Sequence, residues 1–319
     1  MRRWLVAILL LASFASPAAP PRLASITLEN DFMFGHDRHY TNGMQAAFLV
    51  DGEDLPRALR SLPPLSWNAD PQVVMALGQR IYTPDDLSVA VPEENDRPYA
   101  GWLYLMADIR TRSAGRVMDH FLVSLGVVGP ASGARQTQRF LHNLNGARRP
   151  MGWDTQLRDE PTILLGYERA WRGVLEGNLG AGVRYDVSLR AGGALGNVLT
   201  YANAGAVLRI GQHLPSDLPV THVSLGPPRD GYRGAPQFGW YAWVGVDGRG
   251  VARNMFLDGN TFEDGHSVRR KPWGHDVQVG TALVWPTTRI GFTLIERSRE
   301  FEGQAGSDRF GQLAVSFAY

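Results

Sequence analysis

The last ten residues, FGQLAVSFAY, alternate strictly: Leu313, Val315, Phe317 and Tyr319 share one side of an extended chain. Gln312, Ala314, Ser316 and Ala318 share the other. A period of two with one apolar and one small or polar face is the pattern of a β-strand. Similar short, aromatic-rich runs recur near residues 22–32, 41–50, 72–82, 99–112, 117–128, 160–172, 175–190, 197–211, 237–257, 274–285, 287–298 and 309–319. They predict about twelve strands, the even number expected of a bacterial single-chain barrel. Segment 237–257 reads as one long strand or as two. The expected fold is all-β: a transmembrane antiparallel β-barrel with lipid outside and a polar lumen inside. Trp102, Tyr104, Tyr167, Trp171, Tyr185, Tyr201, Trp240, Trp243 and Trp285 are expected to supply aromatic girdles.

The N-terminus supports export. Arg2 and Arg3 precede an apolar stretch from Trp4 to Phe14, and Ser16, Pro17, Ala18 and Ala19 form a small-residue exit. This is the three-part pattern of a secretory signal, too short for a membrane helix of about 20 residues. A signal peptide over residues 1–19 and one outer-membrane barrel over 20–319 are the expected organisation. With no cysteine, the chain is neither a disulfide scaffold nor an acylated lipoprotein. Its 32 basic and 31 acidic residues give no bulk attraction to nucleic acid. Outer-membrane lipids are the expected surroundings, and a monomer the expected state.

Two connections carry polar chemistry, residues 83–97 and 129–161. The middle of the second reads as a helix near the rim, with Ser132 as N-cap and Gly146 closing the C-terminus. Gln138 and His142 then share a face, and Phe140, Leu141 and Leu144 are expected to pack the helix against the barrel. Polar residues also crowd the segment ENDFMFGHDRHYTNG, 29–43. Strand parity puts Ser25, Thr27, Glu29 and Asp31 on the lumen face, and Ile26, Leu28, Asn30 and Phe32 on the lipid face. An antiparallel second strand brings Thr41 toward Asp31 at the outer rim. An amide at Asn30 suits a rim where lipid headgroups meet it. Carboxylate, amide and hydroxyl oxygens together suit calcium rather than zinc.

The segments END…DRHYTNG (29–43), GQRIYTP (78–84), DRPYAGWLY (96–104), GP…Q…H (129–142) and GWDTQL…EP (152–161) resemble the outer-membrane lipid A 3′-O-deacylase family. They span most of the first half of the chain after the leader, in the family's order. The resemblance implies a twelve-stranded barrel with its active site at the outer-leaflet edge. It also implies a Ca²⁺-dependent hydrolase that removes ester-linked acyl chains from the 3′ position of lipid A. The family's functional residues fall on Asn30, Asp31, Thr41, Gln138 and His142, with Asp31, Asn30 and Thr41 as metal ligands. One position departs: an acidic residue of the family aligns with Arg148, so either Asp154, Glu160 or water replaces it or metal affinity is altered.

The chemistry is coherent residue by residue. His142, with a reference pKa of about 6.5, can act as general base toward water. Gln138 can orient water or substrate, and calcium at Asp31 can stabilise developing charge. Arg148, Arg149, Arg269, Arg270 and Lys271 are candidates for phosphate contacts, whereas Arg38 and Arg97 are expected to pair with rim carboxylates. Two competing readings are a non-catalytic porin or scaffold, and a phospholipid hydrolase with a serine nucleophile. The second would draw on His266–Ser267 or His222–Ser224.

Overall fold

A computed structural model describes residues 23–32, 38–52, 55, 57–61, 63–65, 71–113, 116–214 and 237–318. The expected signal peptide and the His222–Ser224 pair lie outside the described residues. Twelve strands run in chain order: β1 (Leu23–Asn30), β2 (His39–Asp51), β3 (Gln72–Thr83), β4 (Ala100–Ser113), β5 (Val117–Val128), β6 (Glu160–Gly180), β7 (Val183–Gly196), β8 (Leu199–Gln212), β9 (Gly239–Asn254), β10 (Trp273–Val284), β11 (Thr288–Arg297) and β12 (Asp308–Ala318). Every neighbour is antiparallel, and β1 closes the barrel on β12 with Ser25 opposite Ser316. Among the described residues three α-helices interrupt the loops: α1 (Arg57–Arg60), α2 (Ala134–Asn145) and α3 (Met255–Asp258). Among the described residues no helix is long and apolar enough to cross a membrane.

The two faces divide as the alternation requires. Ile26, Leu28, Phe48, Leu77, Leu105, Leu125 and Leu313 are exposed on the outer wall. Inward positions are buried and largely polar, including Ser25, Thr27, Glu29, Arg80, Arg190, Asp247, Arg289 and Ser316. These interior charges are paired: Arg190 with Asp247 at 3.2 Å, Arg249 with Asp276 at 2.6 Å, Arg297 with Asp276 at 2.8 Å and Arg97 with Glu300 at 3.4 Å. Pairing offsets the desolvation that an isolated buried charge would suffer. The lumen at these levels is filled by side chains, which disfavours a porin.

Two sequence expectations are revised and one open alternative is resolved. Trp102, Tyr104, Tyr201 and Trp243 point inward and are almost fully buried, while Tyr167, Trp171 and Trp240 face outward. Trp102 and Tyr104 share the parity of Asp108 and Arg110, the lumen face of β4. The chain does not turn at residues 173–174. β6 runs on to Gly180 through a bulge near Gly173 (φ 56°), and the hairpin turn is Ala181–Gly182, both at positive φ. Segment 237–257 is a single strand, β9, followed by the one-turn helix α3.

The rim opposite the chain's first and last strand ends carries the residues that build the site: 31, 32 and 38, 84–99 and 129–159. Helix α2 docks there on the outer wall. Gln79, Ile81, Gly101 and Leu103 occupy lipid-side positions of paired strands, with Ile81 opposite Gly101 and Gln79 opposite Leu103. Ile81 is fully buried beneath a cluster with Tyr99, Ala134 and Trp153. Gly101 makes this approach possible, because a Cβ there would collide with Ala134 Cβ and Ser132 Oγ.

Candidate active site

The end of β1 and the start of β2 form one side of the site. Asn30 pairs with Asn42 across the two strands. The amide of Asn30 spans the junction: Nδ2 donates to Thr41 O at 3.0 Å, and Oδ1 accepts from Phe32 N at 2.7 Å. Asp31 Oδ2 accepts from Arg38 N at 2.6 Å, which ties the start of β2 to the carboxylate. A bulge between Tyr40 and Asn42 leaves Thr41 as the extra residue of β2. Simple strand parity therefore fails at Thr41, but the bulge still carries it to the same cleft as Asp31. Its hydroxyl lies 2.7 Å from Thr83 Oγ1, and Thr83 is fully buried.

Helix α2 forms the other side. Its N-cap is Gly133 (φ 72°) rather than Ser132, which belongs to a preceding turn where its hydroxyl donates to Gly129 O at 2.6 Å. Gly146 (φ 72°) closes the C-terminus as expected. Ala134, Gln138 and His142 are buried one turn apart, whereas Phe140 and Leu144 do not pack on the barrel and are 61% and 70% exposed. Trp153 Nε1 donates to Gln138 Oε1 at 2.7 Å. Indole nitrogen is only a donor, so this bond fixes which end of the amide is oxygen. Gln138 Nε2 is buried with no hydrogen-bond partner among the described residues.

His142 Nδ1 meets the backbone carbonyl of Arg148. A carbonyl only accepts, so Nδ1 carries the hydrogen in the neutral ring and Nε2 is the acceptor nitrogen. Asn30, Asp31, Phe32, Thr41, Asn42, Gln138, Leu141 and His142 line a single open cleft of roughly 380 Å³. All five residues singled out from the sequence are thus brought together.

The same cleft contains Asp85 and Asp86, which sequence reasoning missed although TPDDL stands in a polar connection already noted. Asp85 pairs with Arg38 at 2.8 Å. Hydrogen bonds from the Ser88 hydroxyl and N–H, with Arg148 nearby, hold Asp86 below the usual carboxylate range. Asp154 and Glu160, expected as replacements for the acidic residue, do not line the cleft. Asp154 is solvent-exposed and pairs with Arg135 at 2.5 Å. Glu160 accepts from Asn197, Asn260 and Thr261 away from the cleft. Arg148 itself is exposed at the cleft. Arg270 pairs with Asp258 and Arg97 with Glu300, whereas Arg269, 81% exposed, meets Glu302 at 3.4 Å.

Among the described residues no three histidine, aspartate or glutamate side chains cluster closely enough to hold a metal by themselves. The oxygen donors nevertheless fit a hard cation. Among the described residues Asn42 Oδ1 is a buried acceptor with no hydrogen-bond partner, in a cleft that also holds the Asp31 carboxylate. Such an orphaned acceptor is costly unless something satisfies it. Calcium accepts mixed carboxylate, amide, hydroxyl and water oxygens at flexible geometry.

The LpxR family model, described as outer membrane protein LpxR, matches residues 4–319. LpxR from Salmonella typhimurium superposes with a TM-score of 0.76 at 18% identity, covering 93% of this chain and 100% of that one. The β domain of the Bordetella autotransporter BrkA, at TM-score 0.46 and 8% identity, covers 93% of this chain and 98% of its own. No curated protein matches the chain by sequence. With a family model matched across nearly its whole length, and the twelve-stranded architecture to go with it, the chain belongs to the LpxR family of outer-membrane lipid A deacylases.

Proposed function

We propose that the cleft hydrolyses acyl esters at the 3′ position of lipid A, with water as nucleophile and His142 as general base. The observation that carries this reading is the contact of His142 Nδ1 with the Arg148 carbonyl in a residue that lines the cleft, which leaves Nε2 to accept the proton. Water loses its proton to Nε2 as its oxygen bonds to the ester carbonyl carbon. The carbon–oxygen bond to the sugar then breaks, and the sugar oxygen takes the proton back from His142. Gln138 Nε2 is a pre-set donor for the carbonyl oxygen as charge develops there. Asp31, Asn30 and Thr41 would hold Ca²⁺, with Asn42 alongside; when bound, the ion supplies further charge stabilisation at that oxygen.

A serine mechanism is less well supported. Ser88 in the cleft donates its hydroxyl hydrogen to Asp86 Oδ1 at 2.7 Å, and His266 Nε2 is 2.6 Å from Asp96 O. Mass spectrometry of lipid A from cells with and without the protein tests the proposal. Loss of the 3′-linked chains supports it, and unchanged lipid A during confirmed expression of folded protein counts against it.

A further inference from the structure

The buried face of α2 is Ala134, Gln138 and His142, and its remaining surface is divided into two flanks. At about 100° per residue, Thr137, Phe140, Leu141 and Leu144 fall on one side of the buried face, and Arg135, Arg139 and Asn143 on the other. The apolar flank leads from Leu141 in the cleft to Leu144 and Phe140, which are exposed. The polar flank turns to the outer loops: Arg135 pairs with Asp154 and, with Gln136, borders a second cleft alongside Asn260 and Asp264. Phe32, 59% exposed, stands on the opposite lip of the candidate active site.

We infer that α2 is seated in the membrane interface, with Phe140 and Leu144 in outer-leaflet hydrocarbon and Arg139 and Asn143 in water. The occupant of the apolar flank is the lipid surface, because the flank continues the barrel's own lipid-facing wall. α2 covers lipid-side positions Gln79 and Ile81 of β3. The exposed Leu77 lies on the same face only about 13 Å below Ile81 at the strand rise of roughly 3.3 Å per residue. A helix with one apolar and one basic, polar flank is the form that lies in a headgroup boundary. This inference needs only the barrel in its membrane and stands apart from the deacylation reading. It gives the cleft a lip through which hydrocarbon chains reach it without leaving the leaflet.

The absence of native cysteine allows single-site labelling. Phe140→Cys, Leu144→Cys, Arg139→Cys and Asn143→Cys each replace an exposed side chain, so no packing is lost. Each full-length protein, with folding checked by heat-dependent gel mobility, carries an environment-sensitive nitrobenzoxadiazole label in phosphatidylcholine–phosphatidylglycerol vesicles. Lipids spin-labelled on their acyl chains serve as the quencher. Emission at 140 and 144 is expected to be blue-shifted and quenched several-fold more than at 139 and 143. Equal quenching at all four sites would overturn the inference. So would labels at 140 and 144 that are shielded from water but not quenched, since a protein such as a second copy would then cover the flank.

Discussion

Trp153 donates its only indole hydrogen to Gln138 Oε1, and both side chains are almost completely buried. The bond joins the loop after α2 to a residue of the cleft and determines that Gln138 presents an N–H group there. Trp153→Phe keeps the ring that packs on Tyr99 at 5.1 Å but removes the donor. Hydrolysis of lipid A by the variant should fall about fivefold, with the loss in kcat rather than KM, in line with one hydrogen bond of about 1 kcal/mol. Gln138→Ala should lose more, roughly 10²-fold, as when a donor to a developing oxyanion is removed.

Gly101→Leu separates the helix from the barrel. Its side chain would occupy the space of Ala134 and Ser132, so α2 should lift from the outer wall while the β3–β4 pairing survives. Gel mobility before and after boiling should still report a folded barrel, and acyl release should be lost. A variant with near-native activity would mean that the docking of α2 is irrelevant to the cleft.

The pH profile follows from the groups in the cleft. Protonated His142 cannot accept a proton, so the rate should fall as pH drops through the imidazole range. Asp86 does not cause that limb. Its folded pKa is lowered, so whatever stability its ionised form contributes is present above the ordinary carboxylate value and is lost only as pH falls through the lowered one. A single acidic limb in kcat, absent from the residual rate of His142→Asn, is the expected result.

The barrel was readable because lipid on one side and a packed polar lumen on the other impose a two-residue period on every strand. That period is visible from Ser25 to Glu29 and again from Gln312 to Ser316. It misled where local geometry broke it. The break between the runs 160–172 and 175–190 is a bulge inside β6, and the bulge at Thr41 removes that residue from the parity of Gly43 and Gln45. Gln138 and His142 were legible from their four-residue spacing within a matching motif. Asp85 and Asp86 were not, because only the folded loop carries them beside Asp31. Phe140 and Leu144 were assigned to packing, although the small residues Ala134 and Gly101 make that contact.

Calcium dependence is expected from the oxygen donors of the cleft. Chelation should abolish hydrolysis and added calcium restore it, and Asp31→Ala should weaken calcium binding measured by isothermal titration calorimetry. Asp154→Ala and Glu160→Ala should leave the binding isotherm unchanged, since both side chains are engaged elsewhere. Full turnover in excess chelator would remove the ion from the account.

The most direct measurement compares purified, folded His142→Asn with the native protein for acyl release from lipid A, read by mass spectrometry. General-base catalysis contributes about 10²–10⁴-fold. The variant should therefore lose at least about a hundredfold in rate while its heat-dependent gel mobility remains that of a folded barrel, because His142 belongs to α2 and to no strand. Release of 3′-linked chains by His142→Asn at near the native rate would contradict the assignment of the base.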